Sequence, residues 1–458
     1  MRSNRRRQRE RKMLELNYSG MMKEVIGGNG LSEDDIKRLS SKIDKAHGQI
    51  NNKKQPRLAF MDLLSQDTSE IKKAAKFIRK SSEDLLLLGI GGSALGPRAI
   101  MEALSPLHNL KKKPRVFIYD NVDPGTLKHI LSVIDFKKTS VNVISKSGST
   151  AETAASFMIL WDRMKKVQGK DASGRFIITT DPNEGNLRKI VNEEGLMSLP
   201  IPSGVGGRYS VLSSVGLLLA EVIGVHSDEL LKGAKDIHNK CIKSDIRKNP
   251  AYLFGTLLYL MDKKKQRTID VMVPYADSLK PFSEWFCQLW AESLGKAGKG
   301  LTPYPSIGTT DQHSQLQLWI DGPKDKVITF IRVDDYGVDM KMPPVFRHIE
   351  GLNYLSGHTL SELIKAEQEA TEIALTKSGR PNMTLCIPRI DAYHLGQLFY
   401  FFELATAFTG ALYEINPFDQ PGVEAGKNLT YGIMGKKGFE HKKKEVEEHR
   451  KKKGRWKI

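Results

Sequence analysis

From about residue 80 onward, short apolar strands alternate with amphipathic helices, and this alternation limits the folds that the chain can adopt. A buried strand at 85–90 leads through a Gly/Ser turn into a helix at 97–104. After a helix-rich connection at about 208–245, the same rhythm resumes. The further strands are predicted at 116–119, 141–145, 176–179, 268–273, 327–333 and 384–387. Alternating strands and helices predict an α/β fold with parallel sheets covered by helices on both faces.

The two runs of alternating strands and helices predict two successive α/β domains, at 55–240 and 250–415. A length of 458 residues is enough for two or three domains with substantial cores. Residues 1–54 are expected to form a basic N-terminal extension that is mainly helical, with a helix start at Ser32. Residues 416–458 are expected to form a connector followed by a basic C-terminal tail.

The net charge of +18 is concentrated at the two ends of the chain. Residues 1–12 contribute +6 and residues 436–458 contribute +7, which leaves about +5 for the rest. Such tails are compatible with weak, nonspecific binding of polyanions, but a specific nucleic-acid partner is not expected. Three scattered cysteines favour a reducing compartment, and neither a secretory signal nor a membrane span is predicted. The expected location is the cytoplasm, and no motif for a metal site is present.

Two Gly/Ser/Thr-rich loops follow predicted strands, at the edge of the sheet where ligands bind in open parallel sheets. In the first loop, at 89–96, Gly92 and its neighbouring glycines let the backbone approach an anion, and Ser93 adds a hydroxyl. The same glycines also satisfy a permissive dinucleotide fingerprint, with Asp120 as the residue for a ribose hydroxyl. The first loop alone therefore leaves a phosphate site and a dinucleotide site open.

The second loop, Ser-Lys-Ser-Gly-Ser-Thr at 145–150, favours a monophosphate. It offers four hydroxyls and the ammonium of Lys146 immediately before a helix whose N-terminus supplies N–H donors. The spacing of a nucleotide-binding P-loop is absent. A Ser/Thr-rich helix cap remains the structural alternative.

Four further residues have side chains that can take part in acid–base or electrostatic catalysis. Glu292 lies in a segment that is apolar on one face, and Arg208 follows two glycines that leave room around its guanidinium. His313 lies in a polar loop after two prolines, and Lys427 closes a stiff connector rich in Pro and Gly. A carboxylate can serve as a base, a fixed cation can stabilise an oxyanion, and a histidine titrates near neutrality. Each of these residues, taken alone, is also compatible with an ordinary surface or structural role.

Five segments occur in a fixed order, and together they resemble the phosphoglucose isomerase family, whose phosphosugar-binding domains are of the sugar-isomerase (SIS) type. The segments are 89–96, 145–150, 206–210, 288–292 and 416–427. The resemblance implies two SIS-type doubly wound domains. It also implies substrate contacts from Gly92, Ser93, Ser145, Lys146, Ser147, Thr150, Gln288 and Gln420. The position of Ser149 is less securely matched to a ligand than those of the other loop hydroxyls.

The resemblance further implies interconversion of glucose 6-phosphate and fructose 6-phosphate through a cis-enediol(ate), without a metal or another cofactor. Glu292 is then the base, Arg208 faces the enediolate, and His313 and Lys427 serve ring opening. In the family this histidine comes from the partner subunit, so a homodimer is implied. Two alternatives remain: a bifunctional phosphoglucose/phosphomannose isomerase, and a non-catalytic phosphosugar-binding regulator. The basic tails lie outside the family pattern.

Overall fold

The computed structural model describes residues 12–51 and 56–453, and it contains two five-stranded sheets. The strands are β1 (Glu15–Asn17), β2 (Asp84–Leu88), β3 (Arg115–Tyr119), β4 (Thr139–Ile144), β5 (Phe176–Thr180), β6 (Met197–Pro200), β7 (Ile269–Pro274), β8 (Thr302–Pro305), β9 (Lys326–Asp335) and β10 (Asn382–Arg389). The first sheet has the order β3-β2-β4-β5-β6, and all of its neighbours are parallel. The second has the order β1-β10-β9-β7-β8, and it is parallel except for β1.

Helices connect and cover these strands. The longer ones in the first half are α1 (Ser40–Ile50), α2 (Ser69–Ser81), α3 (Leu95–Leu104), α4 (Pro124–Val133), α5 (Ala151–Gln168), α6 (Asn186–Glu194), α7 (Ser214–Val222) and α8 (Ser227–Cys241). Those in the second half are α9 (Pro250–Lys265), α10 (Lys280–Leu294), α11 (Leu360–Lys377), α12 (Ala392–Tyr413), α13 (Glu424–Ile433) and α14 (Glu440–Lys453). Within the described ranges, every helix falls short of the length or hydropathy that crossing a lipid bilayer requires.

Strand β2, in the interior of the first sheet, shows why that sheet is covered on both faces. All five of its side chains are buried. Leu85 and Leu87 pack into the large central core of the molecule, whereas Leu86 and Leu88 pack into a separate core on the other face. Because successive side chains of a strand point to opposite faces, a continuous apolar run requires a cover on both.

The second sheet is built in the same way, and the two sheets share the central core. In β7, Met272 joins the central core, while Val271 and Val273 join a smaller cluster on the opposite face. Helices α8 and α12 cross inside the central core at two glycines. A Cβ atom on Gly396 would lie 2.0 Å from the carbonyl oxygen of Leu230, and one on Gly233 would lie 1.8 Å from that of Tyr393. This close contact joins α8, from the first half of the chain, to α12, from the second half.

The predicted α/β class with two parallel-sheet domains is confirmed, although three strands were not predicted. One of them, β1, lies within the extension that was expected to be mainly helical, and it pairs antiparallel with β10. The helix start at Ser32 is confirmed, since its side chain accepts from the N–H of Asp35 in a capping box. The domain limits at 55–240 and 250–415 stay a prediction. Of the basic tails, residues 1–11 and 454–458 lie outside the described residues, and no residue of α14 is buried.

Candidate active site

A cleft of about 790 Å³ opens at the carboxyl ends of β2, β4 and β5. Its lining includes the catalytic candidates Arg208, Glu292 and Lys427. The exposed His313 is the one candidate that does not line the cleft among the described residues. The eight predicted substrate contacts all line it, namely Gly92, Ser93, Ser145, Lys146, Ser147, Thr150, Gln288 and Gln420.

The first glycine loop is shaped by close packing against two other cleft segments. Gly91 has a φ of +56°, and a Cβ atom there would lie 2.7 Å from the side-chain nitrogen of Gln288. A Cβ atom on Gly92 would lie 2.2 Å from the carbonyl oxygen of Gly207. Only glycines allow this approach, so the loop brings Ser93 into the same cleft as Arg208.

The second loop turns its hydroxyls toward one another, just before α5. The Ser145 and Thr150 hydroxyl oxygens lie 3.1 Å apart, and the backbone N–H of Gly148 donates to Ser145. Thr150 occupies the N-cap position of α5, but its side chain makes no capping hydrogen bond. The helix-cap alternative is therefore wrong for this threonine. The N–H groups of the first turn of α5 are left without a side-chain cap, next to a hydroxyl-lined loop.

Lys146 is the cation of this loop. Its ammonium donates to the carbonyl oxygen of Val205, 3.1 Å away, and it lines the cleft. This contact ties the loop to the segment that leads into Gly206 and Arg208. The positive charge therefore stays beside the hydroxyls, where a phosphate group would be bound.

Arg208 is almost fully buried, with 4% of its side chain exposed, and it uses all five of its N–H donors. Its Nε donates to Ser293, its Nη1 to Glu292 (3.1 Å) and Gln420 (3.0 Å), and its Nη2 to two backbone carbonyls, those of Pro417 and Asp419. A hydrogen bond from Nη1 to a bound molecule would have to replace one of the two side-chain contacts. The guanidinium is thus a fixed positive charge, and Nη1 is the group through which it could bind another molecule.

Glu292 and Gln288 project from the same side of α10, one helical turn apart. The Glu292 carboxylate is partly exposed and accepts from Arg208, while the Gln288 side-chain oxygen is buried and has no hydrogen-bond partner among the described residues. A buried polar atom without a partner is costly, so a donor group from a ligand would be accommodated there.

The segment that ends at Lys427 differs from its prediction. Residues 416–427 were expected to form an irregular connector, but only the turn at 416–420 and a short 3₁₀ turn (Pro421–Val423) are of that kind. Helix α13 then begins at Glu424, whose carboxylate suits a helix N-terminus and pairs with Lys427 at 2.9 Å. Lys427 therefore lines the cleft from the first turns of a helix.

His313 lies in the short 3₁₀ turn Thr310–His313, apart from the cleft. The neighbouring Gln312 fixes this turn to α11, since its side-chain nitrogen donates to the carbonyl oxygen of Glu367 at 3.0 Å. Gln312 also donates to the hydroxyl of Tyr275 at 2.7 Å. The turn is thus held firmly to the second domain, with the imidazole exposed.

Comparison with known proteins decides the family. The family profile described as "Phosphoglucose isomerase" matches residues 66–451. The chain belongs to the phosphoglucose isomerase family. It is 41% identical over 451 residues to a glucose-6-phosphate isomerase of Carboxydothermus hydrogenoformans, covering 94% of this chain and 97% of that one. It is 42% identical over 424 residues to a glucose-6-phosphate isomerase of Rubrobacter xylanophilus, covering 91% and 97%.

Solved structures agree with this family fold. A hypothetical protein from Thermus thermophilus superimposes with a TM-score of 0.82 at 35% identity, covering 92% of this chain and all of that one. A glucose-6-phosphate isomerase from Chlamydia trachomatis superimposes with a TM-score of 0.77 at 23% identity, covering 92% and 88%. The second match speaks for the fold alone.

Membership of the phosphoglucose isomerase family removes the dinucleotide alternative, and the geometry explains why the fingerprint misleads. Asp120, the residue expected for a ribose hydroxyl, forms an ion pair with Arg98 at 2.7 Å and does not line the cleft. Sequence analysis also missed several cleft residues, which carry no motif of their own. Asp181 and Glu184 follow β5, which shows that a third strand end contributes to the lining, and Phe418 lines the cleft from the turn at 416–420.

Proposed function

We propose that this phosphoglucose isomerase family member interconverts D-glucose 6-phosphate and D-fructose 6-phosphate. The observation that carries the proposal is one cleft that contains both a hydroxyl-lined loop at an uncapped helix N-terminus and a carboxylate bound to a buried arginine. The first element suits a phosphate monoester, and the second suits proton transfer at a carbon next to a carbonyl. The curated relatives named above carry the name of this activity.

The phosphate is proposed to bind at the second loop and the glycine turn opposite it. Ser145, Ser147 and Thr150 would donate their hydroxyl protons, and Lys146 would supply charge. Ser93 would contribute from the first loop, where Gly92 keeps the backbone close. Charge-assisted hydrogen bonds of this kind hold an ester at one end and leave the other end of the sugar free to react.

Proton transfer is assigned to Glu292. Its carboxylate would remove the proton from C2 of the open-chain aldose and return it to C1, with a cis-enediolate between the two steps. Arg208 would stabilise the negative charge of this intermediate from its Nη1 edge, and Gln288 and Gln420 would bind sugar oxygens. Ring opening is assigned to His313 and Lys427. The Lys427 ammonium pairs with Glu424 at 2.9 Å and has further N–H donors for a sugar oxygen.

A homodimer is part of the proposal, because His313 is exposed on the second domain and does not reach the cleft of its own chain. A second copy that covers this face would bring its histidine to the cleft. The segment between β9 and α11 supports such an interface, since it exposes several large apolar side chains. They include Val338, Met340, Phe346 and Tyr354. The cytoplasm remains the proposed location, and the described cysteines Cys241, Cys287 and Cys386 are free thiols.

The test is turnover of fructose 6-phosphate by the purified protein, coupled to glucose-6-phosphate dehydrogenase, with and without EDTA. We expect turnover that EDTA does not reduce, because the proposed chemistry uses only side chains. Mannose 6-phosphate, offered in parallel, tests the bifunctional alternative. A wild-type protein that binds hexose 6-phosphates without converting them would refute the proposed activity and favour a non-catalytic role.

The Glu292→Gln variant tests the base in the same assay. An amide keeps the size of the side chain but cannot accept the C2 proton, so we expect kcat to fall by about 10²–10⁴-fold. KM should stay within a few-fold, because phosphate binding is unchanged. Exchange of the C2 proton with deuterated solvent should fall equally. Exchange at the wild-type rate would remove Glu292 from this role.

A further inference from the structure

The turn at 416–420 is an irregular part of the cleft wall, and Arg208 depends on it for three of its five hydrogen bonds. Pro417 and Asp419 supply backbone carbonyl oxygens, and Gln420 supplies its side-chain oxygen. If the turn moved, Arg208 would lose these acceptors, and the Nη1 group that Glu292 shares with Gln420 would move too. The position of the turn therefore sets the geometry of the proposed reaction centre.

One ion pair fixes this turn to the segment that follows Glu292. The ammonium of Lys296 lies 2.8 Å from a carboxylate oxygen of Asp419 and also donates to the carbonyl oxygen of Asn416. The other carboxylate oxygen of Asp419 accepts from the side-chain amide of Asn416 at 2.8 Å. The Lys296 side chain is 12% exposed and that of Asp419 is 54% exposed. The ion pair therefore joins a buried ammonium to a carboxylate at the protein surface.

Because Lys296 is largely buried, loss of its charged partner Asp419 would be costly. Burial lowers the pKa of Lys296, and the hydrogen bond from Lys296 lowers the pKa of Asp419. Without Asp419, the largely buried ammonium would lose its counter-ion and keep only the backbone carbonyl of Asn416. The loss of either group therefore weakens the attachment of the turn.

We propose that the Lys296–Asp419 pair is a tether that positions the turn at 416–420, and through it Arg208 and Gln420, for the isomerisation. This inference rests on the proposed function. Neither residue lines the cleft, so both are positioning residues. The tether joins the turn to the chain four residues after Glu292. It therefore fixes the position of the base relative to the carbonyl oxygens that accept from Arg208.

The experiment compares Lys296→Met, Asp419→Ala and the double variant with wild type, with kcat and KM for fructose 6-phosphate measured separately. A small misplacement of reacting groups is costly, so we expect kcat to fall roughly 10- to 100-fold in each single variant. KM should stay within about threefold, because the phosphate loops do not contact the tether. The double variant should lose less than the product of the two single losses, since both substitutions break the same ion pair.

Lys299→Met is the matched control. Lys299 lies in the same turn after α10, and its ammonium donates to the carbonyl oxygen of Tyr413, outside the turn at 416–420. It should keep the wild-type kcat. If circular dichroism shows that Lys296→Met is unfolded, the kcat of Asp419→Ala tests the tether instead, because the Asp419 side chain is exposed. Provided that the wild type is active, three results would refute the tether. The single variants could keep kcat within twofold of wild type, or they could raise KM without lowering kcat. Lys299→Met could also lower kcat as much as the tether variants do. An inactive wild type would instead refute the proposed function.

Discussion

The loop at 145–150 shows how single side chains divide between shaping a loop and meeting a ligand. Ser145 and Thr150 contact each other and line the cleft. Ser149 donates to Ser147 and does not line it. The structure thus separates the hydroxyls that are available to a phosphate from one that supports the loop.

Thr150→Ala is therefore expected to weaken substrate binding without slowing the chemical step. One hydrogen bond to a charged group contributes about 1.5–3 kcal/mol, so KM should rise by roughly 10- to 100-fold, with kcat within twofold. Initial rates over a range of fructose 6-phosphate concentrations measure both constants. Ser149→Ala is the matched control and should leave KM within twofold. A fall in kcat at unchanged KM would contradict the role of Thr150.

Asp270 is a buried carboxyl group that belongs to none of the motifs. It lies in β7, accepts from Thr329 through one oxygen, and has no partner for the other among the described residues. Burial raises the pKa of Asp270 to about 7 from an ordinary value of 3.8. As pH rises through this interval, the unfolded chain releases the proton first, so the residue increasingly favours the unfolded state.

Asp270→Asn removes this titration and keeps an acceptor for Thr329. We expect the variant to gain stability over wild type by up to about 1.4 kcal/mol per pH unit across the interval from 3.8 to about 7. The gain should level off above pH 7 and disappear near pH 4. Thermal unfolding midpoints of both proteins at pH 5, 6, 7 and 8 measure it. A constant difference across this range would show that Asp270 keeps the same charge in both states.

Sequence reasoning found the residues whose types and order form motifs, and it missed those that act through contacts between distant segments. Arg208 and Glu292 stand in recognisable segments, but their direct contact joins positions 84 apart. Ser293 and Lys296 directly follow Glu292 in a segment that resembles the family, but the local sequence does not show which groups they contact, Arg208 and Asp419. Such pairings follow from the fold, so no local pattern predicts them.

At the scale of elements, the buried strands were predictable and three of the four edge strands were not. The side chains of β2, β4 and β5 are buried throughout, and at least half of the residues in each of these strands are apolar. In contrast, β1, β6 and β8 have three or four residues each, with mixed or exposed side chains. An edge strand is stabilised mainly by the neighbour with which it pairs, and a short one leaves little trace in hydropathy.

The crossing of α8 and α12 offers a test at this scale. A Cβ atom on Gly396 would lie 2.0 Å from the carbonyl oxygen of Leu230, so Gly396→Ala must separate the two helices. Overpacking of this kind costs about 1–3 kcal/mol. We expect a lower thermal unfolding midpoint.

Gly48→Ala is the matched control for this substitution. Gly48 is exposed on α1, and nothing lies within 4 Å of a Cβ atom there. Because alanine favours helices by about 1 kcal/mol over glycine, the control should unfold at the same temperature or higher. Equal losses in both variants would show that the crossing tolerates a methyl group.

At the scale of the whole molecule, the cleft is assembled from both halves of the chain. The first domain supplies the two Gly/Ser/Thr-rich loops and Arg208, whereas α10 and the segment after α12 supply Glu292, Gln420 and Lys427. The central core joins these parts. The order of the five segments indicated such an assembly. The resemblance implied a histidine from a partner subunit, and in the structure His313 does not line the cleft of its own chain.

Mixing two inactive variants tests whether a second copy completes the cleft. Each site of the proposed homodimer would use Glu292 of one chain and His313 of the partner. In a hybrid of His313→Ala and Glu292→Gln chains, one site carries both defects and the other carries neither. After subunit exchange of equal amounts, we expect roughly a quarter of the wild-type activity, because half of the dimers are hybrids with one intact site.

The activity should appear only after subunits exchange, for example after brief exposure to mild denaturant followed by dilution. Each variant treated alone is the control and should stay inactive. If every site used the base and the histidine of a single chain, no hybrid would contain an intact site, and the mixture would stay as inactive as its components. Recovery of activity would therefore assign His313 to the cleft of the partner, and its absence would place the two residues in one chain.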